Sequence, residues 1–191
     1  ILRGHDLQID REGQAIREVV RLVTKPIWNA WYFFSLYANA DGVRAIERSD
    51  ATGVLDRYIL AKTRALIEGV ERAFDAYDIP GACAEIAGFI DALNNWYIRR
   101  SRDRFWAAEG SADKRDAYDT LYTVLVTLLR VASPLLPLVT EEIHRGLTGE
   151  ESVHLCDWPD AAKLPADPEL VRAMDRAREV CSAALALRRA Q

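Results

Sequence analysis

Between Asn94 and Trp106 the chain places four arginines and four aromatic residues within thirteen positions. Guanidinium groups are forked, permanently charged donors that suit phosphate oxygens and base edges. Flat rings offer stacking platforms to unpaired bases, so the two together are chemistry for looped RNA. At helical spacing Asn95, Arg99 and Arg102 share one face, roughly opposite Leu93, and form the first candidate contact surface. Arg100 and Arg104 continue the apolar side if the helix persists; they then contact a neighbouring segment, or the helix ends near Ser101. Trp106 follows that expected end and is the candidate stacking ring, whereas Trp96 and Tyr97 lie near the apolar face and read as core. The competing reading is a set of surface ion pairs, with Asp91 and Asp103 as partners for the arginines. A weaker second candidate is Lys25-Pro26-Ile27-Trp28-Asn29, where Trp28 and Asn29 bring a ring and an amide to a helix kink.

Other chemistries find less support. His144 follows Glu141 and Glu142, but no second histidine stands at metal spacing, and His5 and His154 lie in polar or extended stretches. Cys83, Cys156 and Cys181 are far apart and include no CxxC pair, so neither a disulfide framework nor a metal site is expected. Cys83 and Cys181 fall within helical patterns and read as buried thiols in a reducing cytoplasm. Adjacent Glu141 and Glu142 point to different faces of a helix, which is poor geometry for an acid/base pair. There is no Gly-rich phosphate loop and no GxSxG, so the chain reads as a binding module without catalytic residues.

The elements that must position the arginines are helices. Asp10 can cap a first helix running through Val23 to Tyr37, which Pro26 should kink or divide. Thr52 can cap a second, with Leu55, Ile59, Leu66, Val70, Ala73 and Tyr77 at helical spacing and Lys62 as the one break. Pro80 opens a third, bearing Ile86, Phe89, Ile90, Leu93 and Trp96 on one face. Ser111 can cap a fourth with a buried stripe of Ala117, Leu121, Val124, Leu128 and Ala132. Pro137 starts a shorter helix ending near Gly146, residues 152–158 read as a short extended segment, and Asp167-Pro168 begins the last helix. Its expected seam is Leu170, Met174, Ala177, Cys181 and Ala184. The result is an all-α helical bundle.

At 191 residues, 50% apolar and 28% charged, one soluble globular domain is expected over 1–191. A net charge of −4 argues against a general nucleic-acid binder, and screening over roughly 8–10 Å means any RNA site must be local. No apolar run reaches the ~20 residues of a membrane span. The chain opens on Ile1 and not on Met, so a piece of a longer protein is expected.

The run from Asn95 to Trp106 resembles the anticodon-binding helical domain of isoleucyl-tRNA synthetases, and the likeness extends along most of the chain. It includes Trp28-Asn29, Ala38-Asn39-Ala40-Asp41-Gly42, Leu55-Asp56-Arg57-Tyr58-Ile59, Ser133-Pro134, Thr140-Glu141-Glu142-Ile143, Ser152-Val153-His154-Leu155 and Asp157-Trp158-Pro159. The arginine pattern resembles the eukaryote-like branch of these enzymes, which some bacteria also possess. The resemblance implies a bundle of the class I synthetase type that holds the anticodon stem-loop of an isoleucine tRNA. It implies a cytoplasmic, monomeric parent that attaches isoleucine to tRNA using ATP and magnesium in domains outside this chain. The signatures His-x-Gly-His and Lys-Met-Ser-Lys-Ser are absent, as are the catalytic and editing domains, so no cofactor and no catalysis are expected of this piece. The alternative is a helical protein-interaction or scaffolding module without RNA binding. Salt separates the two readings, because phosphate contacts weaken as salt rises and a packed helical interface changes little.

Overall fold

The computed structural model describes residues 13–107 and 110–189; the expected cap at Asp10 lies outside the described residues. The described residues form six helical rods and no strand. The first, α1 (14–40), joins Gln14–Val19, a π-helical segment Val20–Thr24 and Lys25–Ala40. The second, α2, is Val54–Asp75, and α3 (79–106) joins Ile79–Ala92, a π segment Leu93–Ile98 and Arg99–Trp106. Then come α4 (Ala112–Ala132), α5 (Pro137–Thr148) and α6 (Pro168–Arg189). Pro26 follows a widened π turn, so the chain passes the proline with a change of hydrogen-bonding pattern and without leaving the helix.

The core is built around α4, which is buried on almost every side. All five residues of its expected stripe are buried, and so are Leu125, Val126, Leu129 and Val131. Ile27, Ala30 and Phe34 from α1, Ile59, Leu66 and Val70 from α2, Ile86, Ile90 and Leu93 from α3 and Ile143 from α5 close the same cluster. Each large aliphatic side chain so buried contributes about 1.5–3 kcal/mol. Phe105 of α3 meets Phe33 at 4.9 Å and Tyr118 at 4.8 Å, both edge-on, which locks α1, α3 and α4 together.

The connection from α1 to α2 runs along α4 without regular structure. Its backbone donors are met by α4 side chains: Ile46 N–H donates to Asp119 at 3.0 Å and Arg48 N–H to the Thr123 hydroxyl at 2.9 Å. That accounts for Asp119 and Thr123 being polar yet buried.

Several local expectations are corrected. Gly53, not Thr52, precedes α2, and no side chain caps it. Tyr77 leaves the α2 stripe, because the turn needs a left-handed residue there (φ 58°) and its ring is exposed. Asp78 caps α3 by accepting from Gly81 N–H at 2.9 Å, whereas Ser111 occupies the cap position of α4 without a side-chain bond. The segment 152–158 is not simply extended; Val153–Leu155 forms a 3-10 turn, with Glu141 accepting from the Ser152 hydroxyl and Val153 N–H, both at 2.9 Å. In α6, Leu170 and Met174 pack against the core, but Ala177, Cys181 and Ala184 are exposed. The helical repeat continues past the point where any described neighbour remains to cover it, so Cys83 is a buried thiol and Cys181 is not.

One buried carboxylate ties α2 to α3. Asp56, 1% exposed, accepts from both ends of the Arg104 guanidinium at 2.8 and 2.7 Å and from the Tyr97 hydroxyl at 2.8 Å. Burial pushes the Tyr97 hydroxyl well above its usual range, and the Asp56 charge adds to this, so it remains a donor. Burial alone would lower the Arg104 value, but the bonds and charge of Asp56 outweigh it and raise the net. At the far end, Asp41 accepts from the Tyr118 hydroxyl at 2.6 Å and pairs with Lys114 at 2.7 Å.

Removing one member of a buried pair strands the other, so Asp56→Asn is expected to cost about 3–5 kcal/mol in denaturant unfolding. Asp91→Asn, at a carboxylate 59% exposed, should cost about 1 kcal/mol or less. Bonds from Lys114 and Tyr118 hold the Asp41 carboxyl below its usual range, so its stabilisation is present at neutral pH and lost as pH falls through the folded value. The urea midpoints of the parent and Asp41→Asn should therefore differ at neutral pH and converge below the ordinary aspartate value of about 3.9.

Candidate nucleic-acid interface

The arginine run lies on the last turns of α3, directly after the π segment. A π turn adds one residue relative to the α repeat, so every later side chain moves by one position around the helix. The core face continues as Tyr97, Ser101 and Phe105, all buried. A regular repeat would have carried it through Trp96, Arg100 and Arg104. The helix does not end near Ser101; it persists to Trp106 with its arginines turned toward solvent, Arg104 excepted.

Arg99, Arg100 and Arg102 are exposed. Among the described residues no carboxylate comes within ion-pair reach of any of them, whereas Arg48, Arg57, Arg64, Arg104, Arg115, Arg130 and Arg178 all have such partners. Exposed arginines without a carboxylate partner occur elsewhere, Arg72 and Arg145 among them. What sets the α3 group apart is its density within little more than one turn, together with its rings. Arg100 lies over Trp96, its Cζ 3.5 Å from the ring centroid, which sets a cation on an aromatic face at the exposed side of α3. Trp106, on the same helix end, is 58% exposed and touches Tyr37 at 6.4 Å between ring centres.

Arg104 leaves the contact surface. Its guanidinium is spent on Asp56 and also reaches Asp113 at 2.8 Å, so it holds the helix in place. Asn95 is exposed, but its amide donates to Asp91 at 2.6 Å, and Asp91 in turn accepts from Arg178 of α6 at 2.7 Å. Asp91 is therefore unavailable as the ion-pair partner expected for Arg99 or Arg102. Trp28 and Asn29 are exposed on α1, yet Trp28 packs edge-on against Trp31 at 4.8 Å, and Trp31 abuts Gly146 of α5. At 3.6 residues per turn Trp28 lies roughly 140° around α1 from Phe33, which meets Phe105 of α3.

Arg178 extends the polar framework. It donates to Asp175 at 2.8 Å, and Asp175 also accepts from the Tyr58 hydroxyl at 2.7 Å and from Lys62 at 2.6 Å. Lys62, the break in the α2 stripe, thus joins Tyr58 in anchoring α2 to α6. Spacing within α2 marked it as irregular but could not name a partner 113 positions away.

Residues 56–191 match the family described as the anticodon-binding domain of tRNA ligase. An isoleucine–tRNA ligase of Leifsonia xyli subsp. xyli is 58% identical over 190 residues, which cover 99% of this chain and 17% of the relative. The corresponding ligase of Nocardia farcinica is 55% identical over 191 residues, covering 100% of this chain and 17% of the relative. That of Mycobacterium tuberculosis H37Rv is 52% identical over the same length, again 100% and 17%. The chain spans about one-sixth of the length of the curated relatives it matches. With a helical bundle over its described residues and this match over most of its length, the chain belongs to the family of anticodon-binding domains of tRNA ligases.

Proposed function

We propose that the end of α3 holds the anticodon stem-loop of an isoleucine tRNA, with Arg99 and Arg102 on phosphates and the Arg100–Trp96 stack and Trp106 as surfaces for unpaired bases. The observation that carries this reading is the cluster of three exposed arginines with no described carboxylate partner, beside two accessible aromatic surfaces, in a chain of net charge −4. Asn95 borders the surface and is held by Asp91; Arg104 positions the helix through Asp56. Trp28 and Asn29 would belong to a separate contact on α1.

The domain positions and discriminates. Correct loop contacts orient the acceptor end of the tRNA for a reaction elsewhere, so binding energy here is used to align distant groups. The longer enzyme to which such a domain belongs would form the isoleucyl adenylate with ATP and magnesium in its catalytic domain and act in the cytoplasm as a monomer. No described helix is long and apolar enough to cross a membrane.

Binding of the isoleucine anticodon stem-loop should weaken with salt, and Arg99→Gln with Arg102→Gln should reduce the slope of log K against log salt by about 1.4–1.8. Trp106→Ala should cost about 1–3 kcal/mol if a base stacks there. In the full-length ligase the double arginine variant should lower aminoacylation with the fold intact. Unchanged aminoacylation and an unchanged salt slope would remove α3 from the recognition surface.

A further inference from the structure

His144, Glu150 and Cys156 stand at intervals of six residues, and the fold brings their donor atoms together. His144 Nε2 is 3.0 Å from Glu150 Oε2, and Cys156 Sγ is 3.7 Å from each of those two atoms. A tetrahedral zinc ion with bonds of about 2.0–2.3 Å holds such donors roughly 3.3–3.6 Å apart. One ion fits among the three with shifts of a few tenths of an ångström.

The frame around the three donors is set by other groups. Gly149, at φ 76°, turns the chain back after α5, and Glu150 N–H donates to the Thr148 hydroxyl at 3.0 Å. Glu141 fixes Ser152 and Val153, and the 3-10 turn so formed delivers Cys156. His144 is fully buried and its Nδ1 has no partner among the described residues, whereas Nε2 faces the other two donors. Cys156 is partly buried and Glu150 exposed, which leaves an entry path and a fourth position open to solvent.

We propose that His144, Glu150 and Cys156 form a three-donor site for a zinc-class divalent ion, which staples the C-terminal end of α5 to the segment 150–156. A thiolate and a carboxylate neutralise the ion, and the imidazole binds as the neutral ring. On binding, the Cys156 thiol releases its proton to solvent and the imidazole hydrogen resides on Nδ1; nothing is oxidised or reduced. A mixed sulfur, nitrogen and oxygen set selects zinc or cobalt over magnesium and calcium. Sequence spacing conceals the site because it joins a helix to a turn and contains neither a second histidine nor a CxxC pair.

The test is a cobalt(II) titration of the reduced chain. A thiolate-to-cobalt charge-transfer band with tetrahedral ligand-field bands should saturate at one ion per chain, be displaced by zinc and be unaffected by excess magnesium. Cys156→Ser should abolish the band, and Glu150→Gln should weaken binding at least about 10-fold, the loss typical of even an outer-shell partner. Cys181→Ser, which removes the other accessible thiol, should change nothing. Helicity by circular dichroism confirms that each variant is folded. Absence of the band in the parent chain, its survival in Cys156→Ser, or unchanged affinity in Glu150→Gln would overturn the proposal.

Discussion

The Asp56 carboxylate is the contact on which the candidate interface depends. A carboxylate removed from water costs several kcal/mol, and only a full set of donors offsets this. Arg104 supplies two and Tyr97 a third, both from α3, while Asp56 sits in the first turn of α2, where the helix dipole also favours negative charge. The last turns of α3 are thereby fastened to the start of α2. Without that bond Arg99–Trp106 would be a helix end held mainly by Phe105. With it, the direction in which Arg99 and Arg102 project is fixed by a core contact they take no part in. Two neighbouring arginines of similar appearance thus have opposite duties, Arg104 holding and Arg102 facing out.

The bundle itself was legible because apolar periodicity reports burial directly. The α4 stripe, the helix start at Asp167 and the helix start at Pro137 are where local chemistry indicated. Periodicity failed where the local repeat was not 3.6 residues or where no neighbour was present. The π segment Leu93–Ile98 shifted the core face of α3 by one residue, which moved Arg100 to the surface and brought Ser101 and Phe105 inward. The second half of α6 kept an apolar repeat with nothing in the described chain to cover it, and so Cys181 is exposed.

The site was legible as composition and much less so as geometry. Arginines beside aromatics marked α3, but which arginines are free depends on partners far away in sequence. Asp91 looked like a local partner and is instead taken by Arg178, 87 positions on. Trp96, read as core, does pack partly buried against it and also supports Arg100. Trp28 is exposed on α1 and packs against Trp31 of the same helix.

The hydrogen bonds that cross the chain also bear on how it folds. Ile46 and Arg48 are bonded to α4 at separations of 73 and 75 residues, and Tyr58 and Lys62 reach Asp175 at separations of 117 and 113. During synthesis α2 is complete long before its α6 partner exists, so its polar anchors wait in water while its apolar face packs against α3 and α4. The bundle therefore cannot mature strictly from its first helix to its last. Closing loops of this length precedes the contacts that reward them, which slows folding. A nascent chain halted before Asp175 would leave Lys62 and Tyr58 without their acceptor, and the native state is reached only once the final helix docks.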